Sequence, residues 1–102
     1  MLEVVYTEAF LEWLERLRDR NGRQVIVARL KRASKGNLGD IASVGDGLSE
    51  FRIHYGPGYR VYFVRRGHKV IVLLNAGDKS TQERDILRAK LMAEELDGPE
   101  WH

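Results

Sequence analysis

Apolar and polar positions along the chain follow first a helical and later an alternating period. The chain opens with a short β-rich run, Leu2 to Tyr6, which predicts a strand. The apolar stripe of the next segment consists of Phe10, Trp13, Leu14 and Leu17. Its spacing predicts a helix that Thr7 caps, because a threonine hydroxyl accepts a hydrogen bond from an unpaired amide of the first turn. Asn21-Gly22 is the predicted stop.

A second amphipathic helix is predicted from Arg23 to Gly36-Asn37. Its apolar side consists of Ile26, Val27, Leu30 and Ala33. Basic residues surround the other side, and the two helices are predicted to form a hairpin. The segment from Asn37 to Gly47 is rich in glycine and aspartate and has no sustained period, so we expect a loop of the length that often carries function.

Three strands are predicted after this loop. Residues Leu48 to Tyr55 and Tyr59 to Arg66 alternate in polarity, so each run has a core face and an outer face. Lys69 to Ala76 is apolar on both faces, which is typical of a strand that is central in its sheet. Arg66-Gly67-His68 predicts the turn between the last two strands.

The register of the first two of these strands decides which side chains meet. We interpret Gly56-Pro57-Gly58 as a three-residue turn. The core pairs are then Tyr55 with Tyr59, Ile53 with Val61, and Phe51 with Phe63. On the outer face, the same register sets His54 opposite Arg60 and Arg52 opposite Tyr62, so four polar side chains share one open patch.

The last helix is predicted to begin at a capping box formed by Ser80 and Glu83 and to end near Leu96. Its predicted buried positions are Ile86, Ala89, Ala93 and Leu96. The resulting order is β-α-α-β-β-β-α. We therefore predict one α+β domain over residues 1–102, with helices on one face of a small, mostly antiparallel sheet.

Composition limits the class of protein. The 102 residues suffice for a single core, and the lack of cysteine excludes disulfides and thiolate metal sites. The longest apolar run, Val70 to Leu74, is far shorter than the roughly 20 residues of a membrane span. No signal peptide is recognisable at the N-terminus. We expect a cytoplasmic protein with no membrane partner.

Charge is distributed unevenly along the chain. Although the formal net charge is only +2, the segment from Arg16 to Lys35 holds eight basic residues and one acidic residue, Asp19. Such a surface is suited to a polyanion or to an acidic protein partner. The alternative is an ordinary solvated helix face.

The outer face of the predicted hairpin carries a cationic cluster. Arg52, His54 and Arg60 are expected close enough to repel one another unless an anion lies between them. Arginine donates paired hydrogen bonds to phosphate, so we interpret the patch as a site for phosphate or the RNA backbone. Lys79 precedes the last helix, whose unpaired amides also favour an anion, and it is placed to approach the patch.

A structural role for the same side chains is the alternative. Arg52 and Arg60 would then pair with acids such as Glu50 or Asp78, as surface arginines often do. Lys79 would be a solvated lysine.

These residue types permit one reaction without a metal, the attack of an RNA 2′-hydroxyl on its adjacent phosphate. The reaction needs a proton acceptor, positive charge on the developing phosphorane and a group that protonates the leaving oxygen. His54 is the candidate for proton transfer, although a lone histidine on a strand is more often structural. The sequence has no serine nucleophile motif, metal-ligand spacing or G-x-x-x-x-G-K loop, so no metal or other cofactor is expected.

The segments GNLGDIASVGDGLSEFRIHYGPGYRVYF and GDKSTQERDILRAK resemble the phage-Gp49-like, HigB-type branch of the RelE/ParE toxin superfamily. The resemblance implies a RelE-like fold and a type II toxin that cleaves mRNA on the ribosome without a metal. It also implies a HigA-type helix-turn-helix antitoxin as partner, with operator DNA contacted only through the antitoxin complex. Superfamily members place basic residues where this chain has Arg52, Arg60 and Lys79.

The chain also departs from the superfamily pattern. Related nucleases often carry a tyrosine or histidine in the C-terminal segment, whereas QERDILRAK has neither. Base stacking would come from Tyr62 or from the loop between Asn37 and Gly47. The further candidates for RNA contact are Arg29, Arg32, Lys35, Arg65 and Arg66. Two alternatives stay open, a ParE-like toxin that binds DNA gyrase and an inactive protein that only binds the antitoxin.

Overall fold

The computed structural model of the chain describes residues 1–96 and has three helices and five strands in that range. The strands are β1 (Glu3–Tyr6), β2 (Ile41–Gly45), β3 (Leu48–Ile53), β4 (Tyr59–Arg66) and β5 (Val70–Asp78). The helices are α1 (Glu8–Arg16), α2 (Arg20–Ser34) and α3 (Gln82–Leu96). No helix within residues 1–96 combines the length and the apolar character that crossing a membrane requires.

The five strands form one sheet in the order β1-β5-β4-β3-β2. Strand β1 runs parallel to β5, and the other neighbours are antiparallel. The predictions of an α+β fold with a mostly antiparallel sheet and of an interior position for β5 are confirmed. The prediction of an unstructured loop at residues 37–47 is wrong, because Ile41–Gly45 pairs with β3 as the short edge strand β2.

Helices cover both faces of this sheet, so the prediction of helices on one face is wrong. One buried cluster joins Phe10 of α1 and Ile26 of α2 to Leu73 of β5. A second cluster joins Ala89 of α3 to Leu74 of β5. Successive strand residues point to opposite faces, so the two clusters lie on opposite sides of the sheet. The apolar character of both faces of β5 requires cover on both sides.

The boundary between the first two helices lies earlier than predicted. Thr7 caps α1 as predicted, with the Phe10 amide donating to Thr7 Oγ1 at 3.2 Å. Asn21-Gly22 is not a stop. Asp19 instead caps α2, whose first turn contains Gly22, and the Gly22 amide donates to Asp19 Oδ1 at 2.9 Å. Aspartate is one of the residues preferred at a helix N-cap, and Gly22 lies in the first turn of α2, where its otherwise unpaired amide is the donor to Asp19.

The Asp19 cap also ties α2 to the sheet. The Tyr59 hydroxyl donates to Asp19 Oδ2 at 2.7 Å. Burial and this hydrogen bond raise the pKa of Tyr59 to about 12, so the hydroxyl stays a donor at neutral pH. The Gly22 amide and the Tyr59 hydroxyl hold the pKa of Asp19 below its usual value of 3.8.

The lowered pKa of Asp19 predicts an acid-dependent loss of stability. A carboxyl group whose pKa is depressed in the folded state stabilises the fold above the unfolded pKa, and this contribution is lost as the pH falls through the folded pKa. Asp19→Ala should therefore melt at a lower temperature than the parent protein at pH 7. The difference between the two melting temperatures should narrow as the pH falls below 3.8, the usual pKa of the group. Thermal unfolding between pH 2 and 7 tests this; a gap that is independent of pH would contradict it.

The hairpin register differs from the predicted one by two residues. Strand β3 ends at Ile53, which is opposite Tyr59, and Arg52 is opposite Arg60. The predicted pairs of His54 with Arg60 and of Arg52 with Tyr62 are therefore wrong. Residues 54–58 form a longer turn in which the Gly58 amide donates to the Tyr55 carbonyl at 3.0 Å. A shift by two keeps every strand side chain on its predicted face.

Helix α3 does not begin at the predicted Ser80/Glu83 capping box. Asp78 caps a short 3₁₀ turn, Lys79–Thr81, and accepts a hydrogen bond from the Ser80 amide at 2.8 Å. The helix follows from Gln82. Of its predicted core positions, Ala89 is fully buried, and the others are partly buried against the same cluster: Ile86, Ala93 and Leu96.

Candidate functional site

A cavity of about 350 Å³ opens where the turn between β3 and β4 meets the end of β5. Its lining consists of His54, Tyr55, Gly56, Pro57, Gly58, Arg60 and Lys79. Three of the four predicted catalytic residues thus share one cavity. Arg52 lies beside it on the neighbouring strand, opposite Arg60.

Gly58 lies beside Arg60 and Lys79, the arginine and the lysine that line the cavity. A methyl group at Gly58 would lie 3.5 Å from Lys79 Cβ and 3.6 Å from Arg60 Nη1. Gly58 also has φ +82°, a left-handed conformation that glycine adopts without the penalty of a side chain. The backbone conformation therefore favours glycine at this position, where the turn passes between Arg60 and Lys79.

A buried carboxylate lies beneath the arginines. Glu50 is fully buried, and its Oε2 accepts a hydrogen bond from Arg52 Nε at 3.1 Å and lies 3.8 Å from Arg60 Nε. Its Oε1 accepts a hydrogen bond from Gln82 Nε2 at 2.9 Å. The structural alternative of arginines paired with Glu50 is therefore confirmed, whereas Asp78 serves as a cap. One carboxylate cannot neutralise Arg52, Arg60 and Lys79 together, so the cavity stays cationic.

His54 has a partner that the sequence did not indicate. Asp40 Oδ2 lies 2.6 Å from His54 Nε2, and both side chains are exposed. The hydrogen bond with His54 is the main cause that holds the pKa of Asp40 below 3.8. This contact fixes the orientation of the imidazole ring and leaves its Nδ1 for another group. His54 lies in the turn rather than on a strand, yet it still lines the cavity.

Arg29, which was predicted to contact RNA, has a structural role. Its guanidinium donates to the carbonyls of Leu38, Asp40 and Arg52 at distances from 2.6 to 3.2 Å. It also lies over the ring of Phe51, 5.7 Å from the centroid. Arg29 is 9% exposed, and desolvation lowers its pKa. It therefore anchors the segment before β2 and is not available to RNA.

Tyr62, the predicted stacking residue, is fully buried under α3. Burial raises the pKa of its hydroxyl, which has no hydrogen-bond partner among the described residues. A ring in this position cannot stack on a base, so this prediction is wrong. Tyr55, which the predicted register assigned to the core, is exposed instead and lines the cavity. It is the aromatic ring that the site offers to a ligand.

The remaining basic candidates lie away from the cavity lining. Arg32 and Lys35 are exposed at the end of α2. Arg65 is exposed and Arg66 half-buried at the opposite end of β4 from Arg60. The fold does not bring these four residues to the cavity. Their contact with RNA stays a prediction.

Sequence reasoning missed Asp40 and Gln82 as neighbours of the site and assigned Glu50 only a charge-balancing role. The alternation of β3 does place Glu50 on the face of Arg52, which is a usable signal. The contacts of Asp40 and Gln82 depend on tertiary packing and leave no local pattern. Within residues 1–96, no three potential metal-ligating side chains cluster together.

Two comparisons with known proteins cover this region. The family model described as phage derived protein Gp49-like (DUF891) matches residues 10–96, which include every residue that lines the cavity. A protein of Haemophilus influenzae described as "Uncharacterized protein" is 46% identical over 95 residues, which are 93% of this chain and 96% of that protein. The family match thus covers strands β2 to β5 and not the hairpin alone.

Proposed function

Because the chain belongs to the phage-derived Gp49-like family, we propose that it is the toxin of a type II toxin-antitoxin system. Its activity is the cleavage of mRNA on the ribosome without a metal, as in HigB-type members of the RelE/ParE superfamily. A HigA-type helix-turn-helix antitoxin neutralises it, and operator DNA is contacted only through that complex. The observation that carries the proposal is the convergence of Arg60, Lys79 and His54 on one cavity.

The reaction is an internal phosphoryl transfer. The 2′-oxygen of a ribose forms a bond to the adjacent phosphorus, and the bond from phosphorus to the 5′-oxygen of the next nucleotide breaks. The 2′-hydroxyl loses a proton and the leaving 5′-oxygen gains one, so the products are a 2′,3′-cyclic phosphate and a 5′-hydroxyl. Charge accumulates on the non-bridging oxygens in the transition state, and fixed cations lower the barrier there.

Arg60 and Lys79 supply the fixed positive charge. The Arg60 side chain is 8% exposed, so its interaction with a phosphate is little weakened by water. Its guanidinium can donate in parallel to two phosphate oxygens, whereas the Lys79 ammonium acts as a point charge. Arg52 is 43% exposed beside them and extends the cationic surface along the RNA backbone.

His54 is the proposed proton-transfer group. Its Nε2 is held by Asp40 at 2.6 Å, so Nδ1 is the ring nitrogen that remains for the substrate. An oriented imidazole is the arrangement that general acid-base catalysis uses near neutral pH. Tyr55, and not the buried Tyr62, is the proposed stacking partner for a base next to the cleaved phosphate.

Binding to the ribosome is assigned to the basic surface formed by the end of α1, the turn after it and α2. The exposed basic side chains of this surface are Arg16, Arg18, Arg20, Lys31, Arg32 and Lys35. Such a surface binds an RNA backbone through phosphate neutralisation, so its affinity should fall with increasing salt.

The test of this proposal is brief induction of the chain without an antitoxin. We expect translation to fall within minutes and new mRNA 5′ ends to appear inside coding regions, as primer extension would show. An arrest of replication with a DNA-damage response and intact mRNA would favour a gyrase-binding toxin instead. Unchanged growth would favour an inactive antitoxin-binding protein.

A further inference from the structure

We propose that Glu50 is a positioning residue that fixes the guanidinium groups of Arg52 and Arg60 for phosphate binding and couples them to α3. This inference rests on the proposed function and adds a component to the site. Acting only through the arginines, Glu50 touches no substrate. Its role is to decide where the donors of the two arginines point.

Contacts on both oxygens hold the Glu50 carboxylate in place. Oε2 lies 3.1 Å from Arg52 Nε and 3.8 Å from Arg60 Nε. Oε1 accepts from Gln82 Nε2 at 2.9 Å, and Gln82 is the first residue of α3. The side chain is fully buried, so water does not compete for these contacts. The carboxylate therefore links two neighbouring strands and a helix.

The same contacts orient the arginines. Arg52 donates to Glu50 from Nε, which holds the plane of its guanidinium at the carboxylate and leaves its terminal nitrogens for a ligand. Arg60 Nη1 donates to the Tyr59 carbonyl at 3.1 Å, and its Nε faces Glu50 without a hydrogen-bond partner among the described residues. Arg60 Nη1 also lies 3.6 Å from the position of a methyl group at Gly58, so the end of this guanidinium is held at the wall of the cavity. Because the buried Arg60 needs a counter-charge, Glu50 also allows a charged arginine to lie there.

Glu50→Gln has opposite expected effects on the cleavage rate if Glu50 acts only through its charge and if it positions the arginines. This substitution keeps the shape of the side chain and an oxygen for Gln82, but it removes a negative charge from beneath two arginines. If only net charge mattered, RNA would bind more tightly and be cleaved at least as fast. If positioning matters, binding persists through the general positive charge while the rate of cleavage falls, because misplaced donors no longer match the transition state.

The experiment measures mRNA cleavage on programmed ribosomes under single-turnover conditions, together with the affinity for a 2′-O-methyl RNA that cannot react. For Glu50→Gln we expect an affinity within about 3-fold of the parent and a cleavage rate about 10- to 100-fold lower. Glu50→Asp keeps the negative charge on a shorter side chain, so its cleavage rate should lie between those of the parent and of Glu50→Gln. The Nε–H group of Arg52 should exchange slowly with water in the parent protein and rapidly in Glu50→Gln, as NMR would show.

Leu48→Ala is the matched control for simple loss of stability. Leu48 is buried on the same strand and the same face as Glu50 but contacts the second apolar cluster. Leu48→Ala should lower the melting temperature and leave the cleavage rate of the folded protein unchanged. A Glu50→Gln protein that cleaves at the parental rate, or a Leu48→Ala protein that loses as much activity, would overturn this inference alone. An inactive parent protein would overturn the proposed function and this inference with it.

Discussion

Replacement of Arg60 by alanine is expected to abolish growth arrest and to lower the rate of mRNA cleavage about 10²- to 10³-fold, the usual effect of removing one transition-state donor. Arg60 is the most deeply buried cation of the cavity, with 8% of its side chain exposed. Water screens its charge less than that of the exposed Lys79, so Arg60→Ala should lower the cleavage rate more than Lys79→Ala. Primer extension and growth after induction measure the two effects.

Two controls separate this effect from a general loss of charge or fold. Arg60→Lys keeps the charge but not the paired donors, so it should recover only part of the activity. Lys69→Ala removes one exposed positive charge next to the turn at the other end of β4 and should leave cleavage unchanged. Glu50 keeps Arg52 and Gln82 as partners in the alanine variant, so the circular dichroism spectrum and antitoxin binding should be retained. A folded Arg60→Ala protein that still arrests growth would contradict the site.

The faces of the hairpin could be predicted from the sequence, whereas its register could not. Alternation alone assigns Phe51 and Arg52 to opposite faces, and this assignment survives a shift by two residues. The register depends on the length of the turn, and Gly56-Pro57-Gly58 is compatible with more than one length. The hydrogen bond from the Gly58 amide to the Tyr55 carbonyl sets that length, and it leaves His54 and Tyr55 in the turn.

The wrong predictions for Tyr62 and Arg29 have a common physical origin: tertiary packing buries both side chains. Tyr62 has the alternation of a surface residue, and only the position of α3 above it makes it a core residue. Arg29 lies in a basic run, yet the carbonyls of Leu38 and Asp40, in the segment before β2, accept hydrogen bonds from its guanidinium. Neither partner can be seen in the local sequence. By contrast, Arg60 and Lys79 were predicted together because both flank turns at the same end of the sheet.

Replacement of Gly77 by alanine is the substitution expected to cost the most stability near the site. Gly77 is opposite Arg60 in the sheet, and the side chains of Asp85 and Thr81 lie directly against its Cα. A methyl group there would collide with Asp85 Oδ2 and lie 2.7 Å from Thr81 Oγ1. Asp85 is itself buried and accepts a hydrogen bond from Thr81 Oγ1 at 2.5 Å, so it has little room to yield. We expect a loss of about 3 kcal/mol in the free energy of unfolding, from overpacking together with one broken hydrogen bond.

Gly67→Ala is the matched control for the Gly77 substitution. Gly67 has φ +66° in an exposed turn, and nothing lies within 4 Å of an added methyl group, so only backbone strain of about 1 kcal/mol is expected. Urea unfolding of both variants measures the difference. Equal losses would contradict the close contact of Asp85 with β5. A larger loss at Gly77 should come with weaker cleavage, because the turn that Asp85 supports through Thr81 also carries Lys79 to the cavity.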